Sequence, residues 1–443
     1  MKMNGRLCVK SLLSALVSAL AASFAAAQEE PFLKVDINAG SSGVNAQEGW
    51  SGFPYTVGNQ STVREETYDV ISPFVPDGTV KVEINCGASI EDNTTTSTAR
   101  DRKNDDDPAS FPAAFPLSNV YRDCITCSKS IWLRLSGLKT EVPYVLKVYC
   151  YDDKSTKTNN IVRVIDGEDC GLVAKVPFSA GTAFSAETDP DLYAAALTAY
   201  PEEDGTLMIR VWDEHSKGGA FAGFTLAKGE PVLDFALDFT HNSAASGQFR
   251  AVQDGFHAFW FSGENQEMKT RSYSGLPFLG TAAGSLSVSV YMVNPPADKK
   301  FIFRDRDSNG MNIYSGVIPF YNAVRDIMLA QDTPLYVAFS GLVPNARFSL
   351  TFCPYDWSAK SQTCTVTDWT SGLAGVSKSV ETVQKYEFTD ETPADHFTVT
   401  LNVRSDETGR IVIKNACSPG SSSVSWLRLT YLPPPIGMTV IIR

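Results

Sequence analysis

Apolar and polar residues alternate with a period of two along much of this chain. Val80, Val82 and Ile84 stand around Lys81 and Glu83, and Leu286, Val288 and Val290 around Ser287 and Ser289. Phe348, Leu350 and Phe352 flank Ser349 and Thr351, and Leu207, Ile209 and Val211 flank Met208 and Arg210. Successive side chains of a strand point to opposite faces, so this period predicts strands with one face buried. Tyr193 to Ala199 is alanine-rich and on its own also suits a helix.

That ambiguity is settled by an internal repeat of about two hundred residues. Val35-Asp36-Ile37 returns as Leu237-Asp238-Phe239, and Gln47-Glu48-Gly49-Trp50 as Gln253-Asp254-Gly255-Phe256. Arg100-Asp101-Arg102 matches Arg304-Asp305-Arg306, and Asn119 to Asp123 matches Asn322 to Asp326. Ser136-Gly137-Leu138 returns as Ser340-Gly341-Leu342, with Tyr151-Asp152 and Tyr355-Asp356 at the same distance beyond. Setting Gly205 on Gly409 places Tyr193, Ala195, Leu197 and Ala199 on Phe397, Val399, Leu401 and Val403. The second set alternates with Thr398, Thr400 and Asn402, so both segments are predicted strands.

About eight strand segments per copy, punctuated by Gly, Pro, Asn and Asp and by no long amphipathic helix, predict an all-β chain. The expected architecture is two tandem antiparallel β-sandwich (jelly-roll) modules behind a cleaved signal peptide. Residues 1–27 are the signal, 28–228 the first module, 229–433 the second and 434–443 a tail. The linker around Ala227 to Pro231 is short, so the modules are expected to touch. Residues 54–77 and 262–283 are less regular and suit long loops or one short helix. Residues 90–110 read as an exposed loop.

Lys2, Arg6 and Lys10, the apolar run Ser11 to Phe24 and Ala25-Ala26-Ala27 form the three-part pattern of a secretory signal. The expected destination is extracytoplasmic: periplasm, cell surface or medium. No later stretch reaches the ~18 consecutive apolar residues of a membrane-spanning helix, so no transmembrane anchor is expected. Cleavage takes the formal net charge from −12 to −15, because three basic residues leave with the signal. So acidic a surface argues against nucleic acid as a partner.

Eight cysteines follow the signal, five in the first module and three in the second. An oxidising compartment permits disulfides, and both counts are odd. Either a bridge crosses the modules or at least two thiols stay unpaired. Cys124-Ile125-Thr126-Cys127 suits structural disulfide partners better than a zinc ribbon, since no second such pair exists. Cys353 and Cys364 flank one predicted hairpin, where a local bridge is expected.

The repeated Arg-Asp motifs offer Arg102, Arg122, Arg306 and Arg325 as planar donors toward sugar hydroxyls or a carboxylate. The same residues also suit an ion-pair network bracing a loop, because buried charges need partners. Trp50, Tyr121, Trp260 and Tyr314 are candidate stacking platforms, with core packing as the alternative. Asp305, Asp307 and Asn309, followed by Gly310, resemble the first half of a calcium loop, so calcium is the one cofactor the sequence suggests. The full loop needs an acid where Gly316 stands, and the first copy carries Lys103 at the second ligand position. No nucleophile elbow, phosphate loop or dinucleotide fingerprint occurs, and no catalytic residue is singled out.

The Val-Asp-Ile opener, the Gln-x-Gly-aromatic step, the Arg-Asp pair and the Ser-Gly-Leu…Tyr-Asp hairpin resemble repeats of large exported bacterial proteins. Those repeats are similar to galactose-binding-like or malectin-like jelly rolls, a superfamily that includes many carbohydrate-binding modules. The resemblance implies a secreted, non-catalytic protein that binds polysaccharide or glycoprotein glycans. A structural or adhesive surface protein is the alternative, and a polysaccharide-active enzyme the third reading.

Overall fold

Each half of the chain hydrogen-bonds into three sheets, and among the described residues no sheet takes strands from both halves. The computed structural model describes all but residues 1–29, 39–45, 56–57, 61–62, 93–96, 102–114, 153–158, 166–170, 178–183, 214–217, 242–251, 262–267, 274–284, 296, 307–309, 316 and 434–443. Beyond the strands it holds a 3-10 turn and two helices of five residues, α1 (Ser118–Arg122) and α2 (Tyr321–Arg325).

In the first module one sheet runs, in spatial order, Ala194–Ala199, Tyr144–Tyr149, Gly223–Lys228, Leu33–Asn38 and Ser51–Pro54. Facing it are Val173–Pro177, Asn159–Val164, Leu207–Asp213, Ser130–Ser136, Thr79–Gly87 and Arg64–Asp69. A smaller third sheet joins Ala220–Phe221, Asp123–Cys127, Ser97–Asp101 and Gly58–Gln60. The second module repeats this order, except that its third sheet has no counterpart of Gly58–Gln60 among the described residues. Its first sheet runs Val399–Arg404, Arg347–Cys353, Trp426–Leu432, Asp234–His241 and His257–Phe261. Its second runs Ser377–Thr382, Gln362–Asp368, Ile411–Ser418, Leu335–Ser340, Leu286–Tyr291 and Met268–Tyr273. Its third joins Ser422–Val424, Asp326–Ala330 and Phe301–Asp305.

The alternating residues are the inward faces of these sheets. Val80, Val82, Ile84, Ile209 and Val211 are fully buried in one core, and Val288, Val290, Phe348, Leu350 and Phe352 in the other. The alanine-rich segment and its counterpart are both strands, paired in register with Tyr144–Tyr149 and Arg347–Cys353. The repeated turns lock together identically. Gly137 and Gly341 adopt positive φ (92° and 93°), as do Gly205 and Gly409 (76° and 75°). The Leu138 amide donates to the Gly205 carbonyl at 3.1 Å and the Leu342 amide to the Gly409 carbonyl at 2.9 Å. A Cβ on Gly205 or Gly409 would collide with the carbonyl of Leu138 or Leu342, which explains why both copies hold glycine there.

Several expectations need correction. The sheets are not wholly antiparallel: Ser51–Pro54 pairs parallel with Leu33–Asn38, and His257–Phe261 parallel with Asp234–His241. The stretch 90–110 contains the strand Ser97–Asp101, with Ser97 and Ala99 buried. Residues 54–77 hold Gly58–Gln60 and Arg64–Asp69, and 262–283 hold Met268–Tyr273, while both helices lie elsewhere. Cys364 bridges Cys417 on the neighbouring strand, not Cys353, which stays a buried thiol. Cys124 and Cys127 share one strand three residues apart, so they point to opposite faces and are not bonded to each other.

The modules touch, as the short linker implies. Ile161, Val173 and Trp212 of the first share a hydrophobic cluster with Ala236, Val252 and Phe256 of the second. The Val173 amide donates to the Phe256 carbonyl at 3.2 Å, and the Gly255 amide to the Val173 carbonyl at 3.0 Å. The Lys175 amide donates to Asp254 Oδ1 at 3.1 Å.

Candidate functional site

The repeated Arg-Asp motifs form braces. Arg122, the last residue of α1, donates from Nε and Nη2 to the two oxygens of Asp101, each at 2.7 Å. Arg325, the last residue of α2, makes the same pair of bonds to Asp305 at 3.1 and 2.9 Å. In the second module Arg306 is also bound to Asp356, at 2.8 and 2.6 Å and nearly out of solvent. Behind each brace lies a pair of buried carboxyls, Asp36 with Asp123 and Asp238 with Asp326. Asp36 Oδ2 accepts the Gln47 amide and Asp238 Oδ2 the Gln253 amide, both at 2.7 Å. Burial pushes the Asp36 carboxyl up to about 8, aided by the charge of Asp123. Asp238, buried more deeply, is raised well above the carboxylate range for the same reason.

These placements disperse the sequence-predicted site. Tyr121 is fully buried, stacked against both Phe115 and Phe184, and its hydroxyl donates to the Pro190 carbonyl at 2.8 Å. Trp50 lies edge-on to Tyr149 at 5.6 Å. Trp260 is covered by the Arg271 guanidinium, 4.2 Å from its ring centre. Tyr314 is buried in the cluster shared by the modules. Arg122, Arg306 and Arg325 have their forks filled by aspartates. Asp305 accepts Arg325 on both oxygens, while Arg102, Asp307 and Asn309 lie outside the described residues. Among the described residues no cluster of three or more His, Cys, Asp or Glu forms a metal site.

A different concavity gathers chemistry. Where the modules meet, a groove of about 290 Å³ opens between the strands Ala194–Ala199 and Asn159–Val164 on one side and the start of the second module on the other. That is near the lower end of the ~300–1,000 Å³ usual for small-molecule sites. Ile165, Leu172, Ala199 and Val232 give it an apolar floor, and Tyr200, Glu202, Asp234 and His257 supply polar groups. Among the described lining residues there is no Lys or Arg, although Arg428 reaches Asp234 from outside at 3.5 Å.

His257 is the most constrained of these groups. It opens the parallel strand beside Asp234–His241, and its ring packs against Phe235 and Tyr273 at 4.8 and 5.8 Å. Burial pulls its pKa down to about 4, so the imidazole is neutral at physiological pH. It hydrogen-bonds the Ala236 backbone, and Nδ1 is buried without a protein partner. Tyr200 is mostly buried, which raises its phenol pKa, and it is held by the Val232 backbone. The groove therefore presents carboxylates and a neutral imidazole beside an apolar surface, a set matched to a ligand rich in hydroxyl donors.

Sequence comparison of the halves holds one sign of this site. In the repeat, His257 stands where the first copy has Ser51, an imidazole replacing a small residue on an otherwise equivalent strand.

No family model matches the chain, and no curated protein matches it. Among solved structures it is similar to the carbohydrate-binding module TmCBM61 in complex with β-1,4-galactotriose, at 15% identity over 32% of this chain and 83% of that one, with a TM-score of 0.17. It is similar to the CBM22-1–CBM22-2 tandem domain of Paenibacillus barcinonensis Xyn10C, at 8% identity over 92% and 98%, with a TM-score of 0.17. An allantoicase follows at 8% identity over 68% and 77%, with a TM-score of 0.19. At TM-scores this low the likenesses carry no argument, and the β-sandwich architecture rests on the strand order itself.

Proposed function

We propose that this chain is an exported, non-catalytic glycan-binding protein whose binding site is the groove between its two modules. The observation that supports this reading is the lining: an apolar floor beside Tyr200, Glu202, Asp234 and the neutral His257. Sugar rings have an apolar C–H face and a rim of hydroxyls. The floor suits the first, and the carboxylates accept from the second. The absence of lining Lys or Arg among the described residues favours neutral saccharides over uronic or sulfated ones.

The test is calorimetry against a panel of neutral oligosaccharides, run on the whole mature chain. Glu202→Gln retains shape and removes a charged acceptor, a hydrogen bond of ~1.5–3 kcal/mol, so the Kd of a bound saccharide is expected to rise at least about tenfold. Unchanged affinity in Glu202→Gln and Tyr200→Phe, or no binding across the panel, overturns the reading. Two carboxylates line the groove, so the same mixtures are assayed for new reducing ends. Their release, lost in Glu202→Gln, would make the protein a glycoside hydrolase instead.

A further inference from the structure

The second module closes one disulfide, Cys364–Cys417, across adjacent strands. The first module holds more cysteines, and its described ones, Cys86, Cys124, Cys127 and Cys150, are all buried thiols. Two of them meet. Cys127 ends the third-sheet strand Asp123–Cys127, and the chain turns back through Ser128 and Lys129 into the strand Ser130–Ser136. Ser130 there pairs with Gly87, and Ile131 with Cys86. The short return therefore brings the end of one sheet over the end of another. The Cys86 thiol hydrogen-bonds the Cys127 thiol and lies within hydrogen-bonding reach of the Ser97 and Tyr55 hydroxyls. The Lys129 amide donates to Cys127 Sγ at 3.3 Å, fixing that sulfur from the turn side.

We infer that Cys86 and Cys127 form a second disulfide when the chain folds in an oxidising compartment, stapling the six-stranded sheet of the first module to its four-stranded sheet. The oxidant is a disulfide, supplied by oxidised glutathione or a thiol–disulfide oxidoreductase. One thiolate attacks the donor sulfur and expels a thiolate, giving a mixed disulfide. The second thiolate displaces the remaining donor sulfur. The two cysteines lose two protons and two electrons, and the donor's S–S bond becomes two thiols. Both sulfurs are buried in the finished fold, so exchange takes place before the sheets close. The loop so closed contains the strand Ser97–Asp101 and α1, and with them both ends of the Arg122–Asp101 brace. The inference is independent of the groove and of any ligand.

The experiment is disulfide mapping on the full mature chain. The protein is refolded in a glutathione redox buffer until the Cys364–Cys417 peptides are recovered cross-linked. Remaining thiols are alkylated in denaturant, and the digest is analysed by mass spectrometry with and without reductant. The expected result is a Cys86–Cys127 cross-linked peptide pair that separates on reduction. Alkylated Cys86 or Cys127, or either bonded to another cysteine, in protein whose Cys364–Cys417 bridge is intact overturns the inference. A second readout uses melting temperature. Cys86→Ser and Cys127→Ser should each remove the same part of the reductant-induced decrease, and the double variant no more. Additive losses would also overturn it.

Discussion

The two modules share a strand order and a brace, and differ in how far water reaches the brace's aspartate. In the first, Arg122 and Asp101 keep 11% and 17% of their side-chain surface. In the second, the equivalent Arg325 and Asp305 keep 12% and 35%, and beside them Arg306 and Asp356 keep 7% and 3%. The brace is thus a partly solvated clamp in both copies, more open to water in the second, where a buried ion pair lies beside it. A buried pair is a weak source of net stability, but removing one partner strands an uncompensated charge.

That contrast can be broken by mutation. Arg306→Ala should cost ~3–5 kcal/mol of stability, because Asp356 is left buried and unpaired. Arg122→Ala should cost less than half as much, since water reaches Asp101. Chemical denaturation that gives equal losses for the two would sink the distinction. Next in size is the disulfide. Opening the Cys364–Cys417 bridge, which closes 53 residues of sequence separation, should cost ~2–4 kcal/mol. Cys364→Ala with Cys417→Ala should lower the melting transition of the second module first. A loss appearing first in the first module would show that the modules unfold as one unit.

The effect of pH is the smallest per unit step. A carboxyl whose folded pKa is raised holds its proton longer in the native state. Its stabilisation is complete below the unfolded value near 3.8 and is lost as pH climbs through about 8. For Asp36 the slope is at most about 1.4 kcal/mol per pH unit across that window. Asp36→Asn should flatten the decline of melting temperature between pH 4 and pH 8. Asp238→Asn, at the equivalent and more deeply buried position, should flatten it in the same direction. An Asp36→Asn curve parallel to the parent would refute the assignment.

Much of this architecture could be read from the chain because each copy disambiguates the other. Ala194–Ala199 was decidable only through Val399–Arg404. The third sheet was not legible. Ser97-Thr98-Ala99-Arg100-Asp101 has no apolar alternation, and it is a strand because Asp123–Cys127 pairs along it and covers its small side chains. The short helices were missed because five residues give too little periodicity to detect. The Arg-Asp pairs were visible as motifs, but which aspartate each arginine takes depends on strands far apart in sequence. The groove was the least legible element. Tyr200 and Glu202 come from the last third of one module and Asp234 and His257 from the opening of the other, so no motif holds them together.

The backbone bonds that join Val173 to Phe256 and Gly255 have a consequence for solubility. Val173–Pro177 is the outermost strand of its sheet, and Val173, Ala174 and Val176 are apolar. Its counterpart at the far end of the second module, Ser377–Thr382, is mostly polar and exposed, suited to facing water alone. An apolar strand with open amides and carbonyls is a template for pairing with other chains. The second module masks that template with its own loop. The first module expressed without its partner would thus bare an adhesive strand edge and self-associate, whereas the second would bare apolar side chains but no open strand edge.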